Sequence, residues 1–384
     1  MNTKLSIVLL MLFQLMTTMT MAMVLSVAPA LATFFNIETA MVPYLNIGFV
    51  ISGMLVPIFG YYADKLGIKK IMVLGAFIFS LGTLLTAFAT NPIVYFMTRM
   101  IIGIGHNVFF ALVAAYSSRL VDEKLYIKLS GYFKLAFATG IFAAPLVGAL
   151  VVNYFSFQAF YLFVFAVSIA LALLLLKIPH VANVSTVPIN FQDFKDLFKV
   201  SYVPWFMLTT FLIFLAPNTI YNFLSIYLNE LGQSQQQISF IYTIAGVGAV
   251  LSGFVILFLG HRYSLRDLLR YGVIGIVATL LFVIPLNTWL IVPAMLAFAL
   301  ALDLVVGVLY PVASKLPVKN PASLTASLSL TMSVTALGAS LMNPILYAHF
   351  GFRFLVGMVI ISVSLGYFSL LRSLHLVHAQ ENRV

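Results

Sequence analysis

The segment Gly60-Tyr61-Tyr62-Ala63-Asp64-Lys65-Leu66-Gly67-Ile68-Lys69-Lys70 places one acid and three lysines between two long apolar runs, at about 40–62 and 71–90. Each run has the ~20 residues that a helix needs to cross a hydrocarbon core of roughly 30 Å. Charges confined to a short loop between two such runs are the pattern of a membrane hairpin, because an ionised side chain is costly in lipid and well solvated at its boundary. Working outward, the alternation continues over the whole chain, with further spans expected at about 6–33, 93–118, 129–152, 158–178, 203–228, 237–260, 269–286, 289–314, 323–346 and 353–374. The runs lack the strict apolar/polar alternation of a membrane barrel. Helices are the remaining way to satisfy the backbone in lipid.

Composition agrees with that reading. The chain is 62% hydrophobic and 8% charged, with a mean hydropathy of +1.10, far from the roughly one-quarter charged residues of soluble domains. The first run, entered from Lys4, is too long for a signal-peptide core and has no clean cleavage site after it, so it is expected to be retained as a span. With no cysteine in the chain, disulfides and thiolate metal sites are excluded.

The formal charge of +10 is a topology signal. Apart from Arg99 and Lys134 inside spans and Arg353 on the opposite side, every Lys and Arg falls in alternate loops. The positive-inside rule makes that side cytoplasmic and puts both termini inside. Nucleic acid is not an expected partner.

A polar stretch after the sixth span divides the chain into an N-terminal six-helix bundle (1–178), a cytoplasmic linker (179–202) and a C-terminal six-helix bundle (203–384). The halves share a repeat at an offset of about 200 residues: Gly48, Ser52-Gly53, Gly60 and Gly75 recur as Gly248, Ser252-Gly253, Gly260 and Gly275.

The opening segment fills every defining position of Gly-x-x-x-Asp-Arg/Lys-x-Gly-x-Arg/Lys-Arg/Lys and so resembles the signature of the major facilitator superfamily. The resemblance implies an all-α membrane fold of twelve transmembrane helices in two pseudo-symmetric six-helix bundles, and transport by alternating access. It also implies a gating role for Gly60, Asp64, Lys65 and Gly67. The equivalent loop of the second half has Ser264 in place of the acid. In the fifth span, Gly131, Gly140, Ala144-Pro145 and Gly148-Ala149 resemble the antiporter motif of proton-driven exporters, with alanine at two glycine positions. Pro145 is accordingly a candidate gating residue, although close packing of small residues alone accounts for the same pattern. Arg99, Gly103, Gly105 and His106 in the fourth span are similar to the intramembrane Arg motif of the drug and sugar efflux branch, with Ile102 where a glutamine is usual.

Ionisable residues inside spans are the default functional candidates. Arg99 and His106, seven apart, share a helix face about 10 Å apart along the axis. Arg99 serves either as a structural cross-helix donor or in substrate binding and gating, and His106 either in packing or in handling a proton. Lys134 lies near the cytoplasmic end of its span and is expected to snorkel. Asp303 is the one deep acid, either paired structurally or coupled to protons. Aligning Ser118-Arg119-Leu120 with Ser314-Lys315-Leu316 sets Asn107 against Asp303, both near mid-membrane. Gln14, Asn46, Asn218, Tyr221 and Asn222 are further candidate cavity liners, the last three following Pro217.

The resulting expectation is a proton-coupled exporter of small organic, drug-like or sugar-like molecules in the cytoplasmic membrane. Its partners would be substrate, protons and the bilayer; it would act as a monomer without cofactor or metal. Alternatives are an importer or facilitator of a neutral nutrient, and a non-transporting membrane sensor or scaffold. No nucleophile constellation or nucleotide-binding Gly-x4-Gly-Lys-Ser/Thr loop supports an enzyme or a nucleotide-driven pump.

Overall fold

The computed structural model describes residues 3–121, 123–181, 196–259, 265–283, 288–314, 316–317 and 321–381. These are overwhelmingly helical, with no strand among them. The helices are α1 (Thr3–Ser26), α2 (Ala28–Phe35), α3 (Val42–Leu45), α4 (Ile47–Gly53), α5 (Val56–Leu66), α6 (Ile68–Ala87), α7 (Pro92–Leu120), α8 (Glu123–Tyr154) and α9 (Phe157–Leu175). They continue as α10 (Val203–Glu230), α11 (Gln235–Leu259), α12 (Leu265–Val283), α13 (Thr288–Ser314) and α14 (Pro321–Glu381).

Nine helices among the described residues are long and apolar enough to cross a membrane, and the pair Ala28–Phe35 with Thr39–Gly53, bent by 107°, adds a tenth. α14 is two spans joined at Gly351, where φ is 73° and ψ 178°. Counting it twice and adding α12, whose first turns carry Arg266, Asp267 and Arg270, yields the expected twelve.

Two expected spans are broken. The first divides at Val27, ahead of Pro29 at the start of α2. The second is a 3-10 turn at Thr39–Met41 followed by α3, α4 and α5 in succession. Asn46 sits at the α3–α4 break with φ −91° and ψ −8°.

Two compact units make up the chain: Met1–Pro188 with Leu228–Thr243, and Ile189–Tyr227 with Ile244–Val384. In the first, α6 lies tightly on α7: a Cβ on Gly82 would come within 2.7 Å of the Ile102 amide nitrogen, and one on Gly105 within 2.6 Å of the Gly75 carbonyl. α8 lies close to α1 and the break after it, with Gly140 against the Leu15 carbonyl and Gly148 against Met23 and Val27. Within this unit Gln235 Nε2 also donates to the Ser26 carbonyl at 2.8 Å. In the second unit the last span is fastened by three hydroxyls to α10 and the residue just before it. Ser362, Ser369 and Ser373 donate to the carbonyls of Leu212, Trp205 and Tyr202, the polar adhesion that lipid-embedded helices use where apolar burial provides no driving force.

The sequence repeat is also a repeat of contacts. Gly48 abuts the Phe96 carbonyl and the Met100 amide; Gly248 abuts the Leu296 carbonyl and the Leu300 amide, every member displaced by 200 residues. One turn of drift follows: Gly75 approaches Gly105, and Gly275 approaches Ala301. The same shift, of four residues, places Asn107 opposite Asp303 in the alignment.

Candidate functional site

The polar candidates of the first unit converge on Arg99. It lies on α7 and is fully buried. Its Nη2 and Nε donate to Asn46 Oδ1 at 2.7 and 3.2 Å, and its Nη1 to the Thr20 carbonyl at 3.5 Å. The guanidinium carbon lies 4.9 Å from the centre of the Phe49 ring, an arrangement in which the ring face attracts the cation. The fork-shaped donor array of an always-charged guanidinium suits this binding of two donors to one oxygen. Among the described residues, no carboxylate forms an ion pair with it. Arg99 is therefore a positive charge held inside the bundle by neutral dipoles and a π-face.

His106, two turns along α7, is also buried; its ring is 5.3 Å from that of Phe49 and stacks on Phe110 at 6.0 Å. Its Nδ1 has no hydrogen-bond partner among the described residues. Phe49 thus lies between the cation and the imidazole. Asn107 Nδ2 donates to Ser52 Oγ at 3.0 Å and to the Gly103 carbonyl at 2.9 Å. On α1, Gln14 Nε2 donates to Thr18 Oγ1 at 3.3 Å, while its buried Oε1 is unpaired among the described residues. Arg99, His106, Asn46, Asn107 and Gln14 thus belong to one unit, on α1, α7 and the α3–α4 break.

Asn218, Tyr221 and Asn222 belong to the other unit. Both asparagine amides close on their own helix, at the Phe214 and Asn218 carbonyls, and Tyr221 packs edge-on to Phe298 at 5.8 Å. Asp303 is half-buried on α13, between the buried Leu302 and Leu304. Lys134 is exposed, consistent with snorkelling. Pro145 lies inside the continuous helix α8.

The signature loop divides. Gly67 has φ 106° and ψ 131°, backbone that only glycine adopts freely, and it separates α5 from α6 as a tight turn requires. Around Gly60 there is open space: a Cβ there would meet nothing within 4 Å among the described residues. Asp64 lies in α5, its side chain outside the described residues; Lys65 is exposed. Ser264 and most of the linker also lie outside them.

Sequence reasoning missed three partners. The Thr20 carbonyl carries no side-chain signal. Phe49 could have been suspected as the aromatic three residues beyond Asn46 on one helical face. Ser52 was noted for the repeat alone.

Residues 10–343 match the profile of the Major Facilitator Superfamily. The chain belongs to this superfamily. It is 25% identical over 245 residues to Multidrug resistance protein 2 of Bacillus subtilis (strain 168), covering 60% of each chain. It is 28% identical over 237 residues to Sialic acid transporter NanX of Escherichia coli (strain K12), covering 59% of this chain and 56% of the relative. These alignments thus take in less than two thirds of the relatives' length. Among solved structures, the nucleoside transporter NupG superposes with a TM-score of 0.78 at 16% identity, covering 97% of this chain and all of that one. A D-xylose-proton symporter superposes with a TM-score of 0.77, also at 16% identity, over 95% and 97%. Both likenesses concern the fold.

Proposed function

We propose that this major facilitator chain is a proton-coupled exporter of small organic molecules, working by alternating access between bundles 1–178 and 203–384 joined by the 179–202 linker. The observation that carries the proposal is the buried Arg99 with its neutral retinue. A charge so placed is costly unless it acts, and an Arg with no carboxylate among its described contacts remains free to bind an anionic or strongly dipolar group. Asn46, Asn107 and Gln14 extend hydrogen bonding around it, and Asn218, Tyr221 and Asn222 would supply the opposing bundle's share. Coupling requires a group whose protonation differs between the two states. Asp303 is assigned that role, with His106 as the second proton-handling group. Asp64, Lys65, Gly60, Gly67 and Pro145 are assigned to gating, and the lysine-rich loops to the cytoplasmic face of the cell membrane with both termini inside. The export direction is supported by the exporter-like α8 motif and by the multidrug resistance relatives. The glucose transporter relative favours a second reading, an importer or facilitator of a neutral nutrient.

Transport in proteoliposomes under an imposed proton gradient tests the coupling. Asp303→Asn retains shape and cannot cycle charge, so it is expected to abolish uphill movement while leaving substrate counterflow intact. Uphill transport at the normal rate in Asp303→Asn would remove Asp303 from the coupling role. Accumulation in inverted rather than right-side-out vesicles distinguishes export from import.

A further inference from the structure

A cavity of about 230 Å³ opens where the ends of α2 and α6 meet the beginnings of α7 and α9. It lies within the first unit and at the opposite end of α6 from the lysine-bearing turn at Gly67. Six aromatic rings line it, Phe88 and the five of Phe34, Phe35, Tyr95, Phe157 and Tyr161. The last five form a continuous series, Phe157 to Phe34 at 5.4 Å, Phe34 to Phe35 at 4.8 Å, Phe35 to Tyr95 at 5.1 Å and Tyr95 to Tyr161 at 6.3 Å. No charged residue contributes to the lining.

At its buried side, the Tyr95 and Tyr161 hydroxyls are 3.0 Å apart, and both residues are at most 2% exposed. Two hydroxyls carry two hydrogens, and one bond between them uses one. The other has no acceptor among the described residues, and a buried donor left unmatched is costly. The wall is therefore mainly apolar and aromatic, with Thr86, Thr90, Ser156 and Gln158 as its other polar members and one spare donor on the tyrosine pair.

We propose that this cavity is a second binding site, separate from the Arg99 cluster, for an uncharged one- or two-ring aromatic molecule bearing a hydrogen-bonding oxygen or nitrogen. An apolar cavity of about 150 Å³ holds benzene, so this volume admits a ring or a fused pair and falls below the range of drug-sized ligands. Offset and edge-on packing against these rings would supply the contact. The ligand's polar atom would accept the spare tyrosine hydrogen. A lipid tail would leave that hydrogen unmatched, which is why an aromatic with a polar group is the occupant chosen.

The chain has no cysteine, so a reporter is readily introduced at exposed Thr90 on the cavity lining. Maleimide labelling of Thr90→Cys, in detergent and in lipid nanodiscs, is measured against increasing 2-naphthol. Saturable protection is expected in both. Ala87→Leu, which fills the cavity from its wall, should abolish it. The near-isosteric double variant Tyr95→Phe with Tyr161→Phe, which removes both hydroxyls and with them the spare hydrogen, should shift half-protection to about five- to tenfold higher naphthol, the worth of one hydrogen bond, and carries the test if Ala87→Leu does not fold. Unsaturable protection, protection unchanged by both variants, or labelling already blocked in nanodiscs without naphthol would overturn the proposal, the last by showing a lipid in residence.

Discussion

Removal of Asn46 should expose how much of the first unit's stability depends on holding Arg99. Asn46 Oδ1 is the sole side-chain acceptor within hydrogen-bond reach of the guanidinium among the described residues. In Asn46→Ala the cation keeps one carbonyl at 3.5 Å and the Phe49 ring. Hydrogen bonds to a charged group contribute about 1.5–3 kcal/mol, and a buried charge that loses its partner costs up to about 5 kcal/mol. Asn46 is half-buried, so water can replace part of what is lost, which places the expected cost near the lower end, about 2 kcal/mol. For a unit of this size that is roughly 4–8 °C in Tm, read by scanning the purified protein in detergent. Asn46→Asp preserves both bonds and adds a countercharge, so it should match or exceed the parent. Arg99→Met placed on top of Asn46→Ala should recover most of the loss, because no charge is then stranded. A Tm for Asn46→Ala within about 1 °C of the parent, or a double variant no better than the single one, would refute the account of Arg99 as a charge dependent on Asn46.

Other expectations follow from the helix contacts. Gly105→Ala drives a methyl group into the Phe79 backbone and within 2.6 Å of the Gly75 carbonyl; backbone cannot yield, so folded yield and Tm should both fall. Gly60→Ala meets nothing within 4 Å among the described residues and should leave Tm unchanged or raised, since alanine is favoured over glycine in helices by about 1 kcal/mol. Gly67→Ala imposes a side chain on φ 106°, at a cost of about 1–3 kcal/mol, measurable as a lower Tm. Single cysteines at Ser234 and Lys69 should label from outside the cell and only after permeabilisation, respectively; the reverse pattern would overturn the assigned orientation.

Much of the fold was legible because lipid reduces the possibilities to helices of one length, and a glycine repeat marks where two helices must touch. The pairs Gly48 with Phe96 and Gly248 with Leu296 show this, since a position that admits no Cβ leaves its mark in any sequence that packs the same way. The site was legible as a set of residues and not as a set of contacts. Arg99, Asn46, His106, Asn107 and Gln14 each stand out as polar groups in apolar runs, and the seven-residue spacing on α7 already put Arg99 and His106 on one face. That Asn46 rather than an acid would receive the guanidinium depends on how the broken second span, with Asn46 at the α3–α4 break, packs on α7, which no local pattern encodes. Only Pro43 hints at that break, and a proline at a helix start is equally compatible with an unbroken helix after it. Gly60 shows the converse. Its motif implies a close approach, yet close approach is a property of two helices in one arrangement, and a transporter that alternates between arrangements has contacts that belong to one of them alone. A motif glycine with open space around it is thus compatible with a gating role. The decisive comparison is between states: Gly60→Ala, neutral to stability, should still slow transport if the helix it faces closes upon it during the cycle.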